Sequence, residues 1–232
     1  MPTVLITGAS RGLGLEFVRQ YDADGWRVIA GCRNPHAAQE LSAIASASGD
    51  QVSVHRLDVE DLPGVDRLAT ELVDVPVDVL INNAGSAGSR TAAVFGQSNF
   101  DDWLTMFRVN VMGPMKVSEA FAANLEAGTG KAIATVSSQL GSMALNTTGG
   151  IYAYRATKAA VNAVMRSLSI DLASRSLKVV ILHPGWVKTD MGGPQAPIES
   201  VTSVGGMRTV IARLTANTSG QFFMYDGTSL PW

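Results

Sequence analysis

Tyr154 and Lys158 are the pair of side chains in this sequence best suited to moving a proton. They lie four residues apart at the start of a long helical pattern, and residues at i and i+4 share one face of a helix. A free phenol has a pKa of about 10, and a nearby ammonium favours the phenolate and lowers that pKa toward neutrality. Tyr152 is a rival by proximity, but its matching position holds Ala156. The spacing therefore favours Tyr154 as an acid–base residue that Lys158 tunes.

Two polar residues elsewhere in the chain could complete such a site. Ser138 ends a predicted strand, and its hydroxyl could stabilise negative charge that develops on a substrate oxygen. Asn110 lies in a helical pattern, where asparagine is a mediocre helix former, and its side chain could hold a water that links Lys158 to solvent. Ser138 could equally be a cap or turn residue, and Asn110 could make a buried helix–helix hydrogen bond.

A glycine-rich loop, TGASRGLG at residues 7–14, follows the first predicted strand and opens the first predicted helix. Its glycines allow a tight turn, a close approach of the backbone to a pyrophosphate, and close packing of the helix on the strand. The helix N-terminus offers unpaired N–H groups and a partial positive charge to phosphates. An ordinary strand–helix turn is the alternative. The residues predicted to contact a dinucleotide here are Gly8, Ser10, Arg11, Gly12, Leu13 and Gly14.

The end of the second predicted strand decides which dinucleotide is expected. An acidic residue about 20 positions after the glycines would bind the ribose 2′-hydroxyl of NAD. This strand instead ends in Arg33 with no acid, and a guanidinium can pair bidentately with a 2′-phosphate. Arg11 supplies a second cation on the same side, although both could be solvated surface arginines. The sequence therefore favours NADP(H) over NAD(H) as the cofactor.

Short apolar runs rich in Val and Ile alternate with longer helical patterns along the chain. The runs are continuous, as is typical of strands buried on both faces. Strands are predicted at 3–7, 26–32, 51–57, 78–82, 131–137, 177–183 and 221–225, and helices at 12–24, 36–47, 61–73, 99–126, 152–174 and 200–213. Asn34 and Pro35 are predicted to cap and begin the second helix. The alternation predicts an α/β fold with a parallel sheet, helices on both faces, and a ligand crevice at the carboxyl ends of the strands.

The loops predicted to lie over that crevice are the Gly- and Ser-rich segments 85–98, 137–150 and 185–206. Within the last of them, Trp186, Met191 and residues 192–206 could form the wall of a substrate pocket.

The composition limits the size of the molecule and its partners. A chain of 232 residues fits one domain spanning 1–232, and its net charge of -2 with scattered Lys and Arg gives no sign of a nucleic-acid partner. Cys32 is the one cysteine, which excludes an intramolecular disulfide. We recognise neither a signal peptide nor an apolar run of about 18 residues, so we expect a cytoplasmic protein with no membrane partner. The histidines lack the spacing of metal ligands, so no metal is expected.

Together these features resemble the short-chain dehydrogenase/reductases, over nearly the whole chain. Further matching segments are LDV at 57–59, NNAG at 82–85 and PGWVKT at 184–189. The resemblance implies a Rossmann-type doubly wound, seven-stranded parallel sheet. It also implies a catalytic tetrad of Asn110, Ser138, Tyr154 and Lys158, in which Lys158 also binds the nicotinamide ribose.

The resemblance further implies which residues meet each part of the cofactor. Asp58 and Val59 would contact the adenine, and Asn83, Ala84 and Gly85 would line the adenosine side. Val187 and Thr189 would hold the carboxamide. The remaining members of the implied cofactor set are Tyr154, Lys158, Pro184 and Gly185.

Two segments resemble one subgroup, which contains the sniffer-type carbonyl reductases and the bacterial C-signal (C-factor) proteins. These are GGIYAYR at 149–155 and the ending at 225–232. Ser138 lies further before Tyr154 than in the commonest family pattern, and the extra residues fall within 146–150. Ser137 and Ser142 therefore stay open as alternatives to Ser138.

The expected function is reduction of a ketone or aldehyde, with hydride from NADPH and a proton from Tyr154. One alternative is a dinucleotide-binding signalling protein like the C-signal, and another is an NAD-linked alcohol dehydrogenase that works in the oxidative direction. The expected partner is a small-molecule substrate, and the family implies a homodimer or homotetramer.

Overall fold

The predicted strands form one parallel sheet in a computed structural model, which describes residues 1–88 and 94–232. Within those ranges the strands are β1 (Thr3–Thr7), β2 (Arg27–Cys32), β3 (Val52–Arg56), β4 (Val79–Asn82), β5 (Ala132–Val136), β6 (Lys178–His183) and β7 (Gln221–Met224). Their order is β3-β2-β1-β4-β5-β6-β7, and every neighbouring pair is parallel. The predicted fold class is confirmed. Because the chain order reverses between β1 and β4, the ligand crevice is expected beyond the carboxyl ends of these strands.

The helices described are α1 (Gly12–Ala23), α2 (Gln39–Ala47), α3 (Leu62–Glu71), α4 (Phe100–Phe107), α5 (Gly113–Ala120), α6 (Ala122–Ala127), α7 (Tyr152–Asp171) and α8 (Ser200–Ala212). The prediction for 36–47 was wrong at its start. Pro35–Ala37 is a separate 3-10 turn, the Asn34 side chain caps nothing, and α2 begins only at Gln39.

The single helix predicted over 99–126 is broken, and this break matters for the site. A π-helical segment, Arg108–Met112, separates α4 from α5, and Asn110 lies at its middle. Pro114 lacks an N–H, so it cannot donate the ordinary i+4 hydrogen bond to the Asn110 carbonyl. A wider turn at this point is a common response to such a gap in the helical ladder, and π turns occur often at functional sites.

Apolar side chains cover both faces of the sheet and make it a rigid platform. Phe17 of α1 and Met207 of α8 are fully buried on one face of the sheet. On the other face the fully buried side chains include Phe121, between α5 and α6, and Met165 of α7. Burial of each such side chain contributes about 1.5–3 kcal/mol. The loops at the carboxyl ends of the strands therefore stand on a fixed base.

Part of the loop predicted at 85–98 lies outside the described residues, namely 89–93. In the remainder of the chain, no helix combines the length and the apolar character that a bilayer crossing requires.

Candidate active site

One cavity of about 920 Å³ lies at the carboxyl ends of the strands, a volume typical of ligand sites. Most of the residues predicted to bind a cofactor or to react line it: Gly8, Ser10, Arg11, Gly12, Leu13, Arg33, Asp58, Val59, Asn83, Ala84, Gly85, Tyr154, Lys158, Pro184 and Thr189. Five other predicted residues are not part of its lining: Gly14, Asn110, Ser138, Gly185 and Val187.

The glycine loop presents an open helix end to the cavity. α1 begins at Gly12, and no side chain caps its first amides. Gly8 has φ +67°, and a Cβ added there would lie 2.9 Å from the Ala84 Cα, so a side chain would strain this turn. Gly14 packs inward, since a Cβ there would lie 2.1 Å from the Gly8 carbonyl oxygen. The loop thus keeps free backbone N–H groups and space at the helix end, an arrangement that fits the pyrophosphate of a dinucleotide.

Thr7 and Asn83 hold this loop against the end of β4. The Thr7 hydroxyl accepts hydrogen bonds of 3.0 Å from the main-chain N–H groups of Asn83 and Ala84. The Asn83 side-chain amide donates to the carbonyls of Thr7 (2.9 Å) and Gly8 (3.2 Å). The Asn83 side chain therefore positions the glycine loop. Sequence reasoning missed Thr7, although a hydroxyl directly before Gly8 was a usable signal.

Two arginines line the phosphate end of the cavity, and their surroundings differ. Arg33 follows β2 and is exposed, and within the described ranges its side chain has no hydrogen-bond or ion-pair partner. The Arg11 guanidinium instead pairs with the Asp190 carboxylate at 2.7 Å. Asp190 also lines the cavity, and sequence reasoning missed it because the pair depends on how two distant loops run.

Tyr154 and Lys158 face the cavity from the first turns of α7. The Lys158 Nζ lies 5.7 Å from the centre of the Tyr154 ring. It also donates a 3.0 Å hydrogen bond to the carbonyl of Val136, the last residue of β5. Because Lys158 is buried, this bond fixes the start of α7 against the carboxyl end of β5.

The expected lowering of the Tyr154 pKa is wrong for this structure. Burial raises the pKa of the Tyr154 phenol to about 12, and a hydrogen bond with Ser138 opposes that rise. Burial also lowers the pKa of the Lys158 ammonium to about 8. Desolvation is the main cause of both pKa shifts, and it favours the neutral form of each group. At neutral pH Tyr154 is a protonated phenol beside a lysine that keeps most of its charge.

Ser138 is the serine that reaches Tyr154. Its hydroxyl hydrogen-bonds the phenol and also accepts the N–H of Leu140 at 3.1 Å, so it caps a 3-10 turn at the same time. Ser137 turns to α7 and donates to Asn162 Oδ1 at 2.5 Å. Ser142 donates to the Trp232 carbonyl at 3.0 Å. Of the three serines considered, Ser138 therefore has the geometry for a role beside the phenol.

Asn110 uses its side chain to join two parts of the site. Its amide nitrogen donates to the Ser86 carbonyl (2.8 Å) and to the Thr157 hydroxyl (3.0 Å), and its Oδ1 accepts the Ser86 N–H (2.8 Å). A Cβ added to Gly85 would lie 3.5 Å from Asn110 Oδ1 and 3.8 Å from Lys158 Nζ, so both groups lie beside this glycine. The bond to Thr157 of α7 is the buried helix–helix hydrogen bond that the sequence analysis gave as the alternative role of Asn110. Sequence reasoning missed both Ser86 and Thr157.

The loop after β6 borders the cavity, but two of its residues that were predicted to bind the cofactor, Gly185 and Val187, do not line it. Gly185 packs against Ile198, since an added Cβ would lie 2.4 Å from its Cδ1. Val187 is buried and pairs with the same residue, Ile198, through an isolated bridge. Thr189 and Met191 line the cavity, and the half-exposed Trp186 ring donates to the Gly192 carbonyl at 2.8 Å.

Comparisons with known proteins place the chain among oxidoreductases. A family model described as short chain dehydrogenase matches residues 2–199. The C-signal of Myxococcus xanthus is 47% identical over 164 residues, which cover 71% of this chain and 98% of that protein. The carbonyl reductase Sniffer of D. melanogaster superposes with a TM-score of 0.89 at 36% identity, over 100% of both chains. An NADPH-bound carbonyl reductase from chicken fatty liver gives a TM-score of 0.91 at 33% identity, over 100% of this chain and 99% of that one. The predicted resemblance is confirmed.

Proposed function

Because the chain belongs to the short-chain dehydrogenase family of oxidoreductases, we propose that it reduces a ketone or aldehyde to an alcohol with NADPH. The observation that carries this proposal is the half-buried Tyr154 phenol, which is hydrogen-bonded to Ser138 and whose ring centre lies 5.7 Å from the Lys158 Nζ. A phenol with a pKa of about 12 is fully protonated at neutral pH, the form that a proton donor requires.

The proton chemistry belongs to the chain's own residues. NADPH supplies the hydride when bound. Ser138 hydrogen-bonds the carbonyl oxygen and orients it toward Tyr154, which donates its proton to that oxygen. The charge of Lys158 offsets the phenolate that Tyr154 becomes. The Asn110 carbonyl, which Pro114 cannot satisfy, holds a water that returns a proton toward Lys158.

The choice of NADPH follows from charge at the phosphate end. Arg33 and Arg11 are the cations for the 2′-phosphate, and no acid ends β2 to bind a 2′-hydroxyl. The chicken-liver relative, which was solved with NADPH, supports this choice. The α1 end would hold the pyrophosphate, Asp58 and Val59 would contact the adenine, and Lys158 would also bind the nicotinamide ribose. Thr189, which lines the cavity, and Val187 would hold the carboxamide.

Two further properties belong to the same proposal. Residues 1–232 act as one dinucleotide-binding and catalytic domain on a small-molecule substrate. Phe100 and Leu104 are exposed one turn apart on α4, and we infer that this face joins copies into a homodimer or homotetramer. Sizing chromatography distinguishes these states from a monomer.

A signalling protein that binds the dinucleotide without turnover is the second candidate, because the M. xanthus C-signal is 47% identical. A phenol hydrogen-bonded to Ser138 beside a buried lysine favours the enzyme, since binding alone needs no positioned phenol. An NAD-linked dehydrogenase is disfavoured by Arg33.

Tyr154→Phe tests the proposal. NADPH consumption is measured over a panel of ketones, aldehydes and quinones, and cofactor binding is measured by fluorescence titration. We expect turnover to fall about 10²- to 10⁴-fold with an unchanged Kd for NADPH. Tyr152→Phe, the same substitution two residues earlier, is the matched control and retains activity.

Two results would count against the enzyme proposal. Full activity in Tyr154→Phe would assign the proton donor elsewhere. A wild-type protein that binds NADPH but oxidises none with any member of the panel would favour the signalling candidate.

A further inference from the structure

An ion pair crosses the cavity between two loops that are distant in sequence. Arg11, the residue before α1, pairs at 2.7 Å with Asp190 of the loop after β6. Both side chains line the cavity, and they are 72% and 77% exposed. The pair is therefore open to solvent and to any ligand that enters between the loops.

The two loops also touch beside this pair. A Cβ added to Gly12 would lie 3.5 Å from the Thr189 methyl group, so the residue after Arg11 contacts the residue before Asp190. The Thr189 hydroxyl accepts the Gly192 N–H at 3.1 Å, which continues the contact into the next turn of the loop. Arg11 thus lies directly beside the segment that carries Thr189 and Met191.

The two arginines at this end are not equally available. Arg33 has no side-chain partner in the part of the chain that the structure describes, whereas Arg11 is already engaged by a carboxylate. A 2′-phosphate carries nearly two negative charges and three acceptor oxygens, so it competes for a guanidinium against a single carboxylate.

We propose that Asp190 competes with the 2′-phosphate of NADP(H) for Arg11, and so weakens NADP(H) binding and couples cofactor release to the loop after β6. This inference rests on the proposed use of NADP(H). Each binding event exchanges one partner of Arg11 for another, and each release restores the Arg11–Asp190 pair. Because exposed ion pairs are worth at most about 1 kcal/mol, the competition changes affinity by about two- to fivefold. Asp190 therefore adjusts affinity while Arg33 sets the preference between cofactors.

The test is a set of Kd values for NADPH and NADH, measured by fluorescence titration at low and high salt. The proteins are wild type, Asp190→Asn, Arg11→Gln and the double variant. We expect Asp190→Asn to bind NADPH about two- to fivefold more tightly at low salt, with a smaller gain at high salt. Its Kd for NADH should change less than the Kd for NADPH. In the Arg11→Gln background the Asp190→Asn substitution should have no effect.

Asp66→Asn is the control, because it removes the same charge from an exposed carboxylate that pairs with Lys116 outside the cavity. An unchanged or weaker affinity of Asp190→Asn for NADPH would overturn the inference, and so would an equal gain for NADH or a gain that persists without Arg11. Failure of the wild-type protein to bind NADPH would overturn the proposed function itself, a result distinguishable from the other three.

Discussion

The two ends of the cavity handle charge in opposite ways. At the catalytic end, Lys158 is buried and Tyr154 is half-buried, and desolvation shifts the pKa of Tyr154 up to about 12 and that of Lys158 down to about 8. At the phosphate end, Arg11, Arg33 and Asp190 are exposed to water. Burial makes a charge at the catalytic end costly, whereas solvent limits the exposed Arg11–Asp190 ion pair to about 1 kcal/mol or less.

The same contrast holds for how the side chains are held. Lys158 is bonded to the end of β5, and Asn110 makes three side-chain hydrogen bonds. Arg11 has one exposed partner, and Arg33 has none in residues 1–88 and 94–232. A fixed geometry suits the transfer of a proton over a short distance. An adaptable one suits a cofactor that must enter and leave in every cycle.

Lys158→Met should produce the largest effect, because it removes the one buried cation beside Tyr154. We expect turnover to fall by about 10³-fold or more, since the phenolate then forms without a compensating charge. The expected effect on stability has the opposite sign. At pH 7 Lys158 is charged in both the folded and the unfolded state, so the cost of burying that charge is fully present there. As pH rises from about 8 toward 10.5 the folded state releases its proton first, and stability rises.

The measurements for this variant are the turnover number and the free energy of unfolding at pH 7. The stability should rise by up to about 3 kcal/mol, the equivalent of the pKa shift. Lys116→Met on α5, where the lysine pairs with Asp66, is the control and should leave turnover unchanged. A variant that loses stability as well as activity would show that Lys158 is chiefly a structural residue.

The phosphate end was largely predictable from the sequence, because its parts are local. The glycines follow a strand and precede a helix, and Arg33 directly follows β2, so periodicity and spacing were enough to position them. The Arg11–Asp190 pair was not predictable, since it joins residues 179 positions apart through the course of two loops.

The catalytic end was predictable in its residue types but not in its energetics. Tyr154, Lys158 and Ser138 do come together, yet the direction of the Tyr154 pKa shift was wrong because sequence spacing says nothing about the depth of burial. The π turn at Asn110 was also missed. Pro114, four residues later, was the available signal, because it removes the donor that a regular helix needs at that point.

Arg33→Asp tests whether the exposed end sets the cofactor preference. The substitution replaces a cation for the 2′-phosphate with an acceptor for a 2′-hydroxyl, the residue type that NAD-binding folds use there. Because hydrogen bonds between charged groups are worth about 1.5–3 kcal/mol, we expect the Kd for NADPH to rise about 10- to 100-fold, while NADH binds equally or more tightly.

For this variant we measure the Kd of each cofactor and the turnover number at saturating cofactor. The Kd values report on the phosphate end of the cavity, and the turnover number reports on the catalytic end. Turnover at saturation should stay within about threefold of wild type, because Arg33 lies at the phosphate end. Arg213→Asp at the end of α8, outside the dinucleotide cavity, is the charge-matched control. An unaltered ratio of the NADPH and NADH affinities would show that Arg33 is only a surface residue.

A pH profile between pH 7 and pH 9 should produce the smallest effect, and it distinguishes the two ends without any substitution. Lys158 loses its charge as pH rises through about 8, whereas Tyr154, with a pKa of about 12, stays protonated throughout. Carbonyl reduction at saturating NADPH should therefore fall about tenfold across this range, because the phenolate loses its neighbouring cation. The Kd for NADPH should change much less, because the contacts proposed for its phosphates do not depend on the charge of Lys158. Added salt should do the reverse, raising that Kd with little change in the saturated rate. A saturated rate that stays flat from pH 7 to pH 9 would mean that the charge of Lys158 does not support the proton transfer.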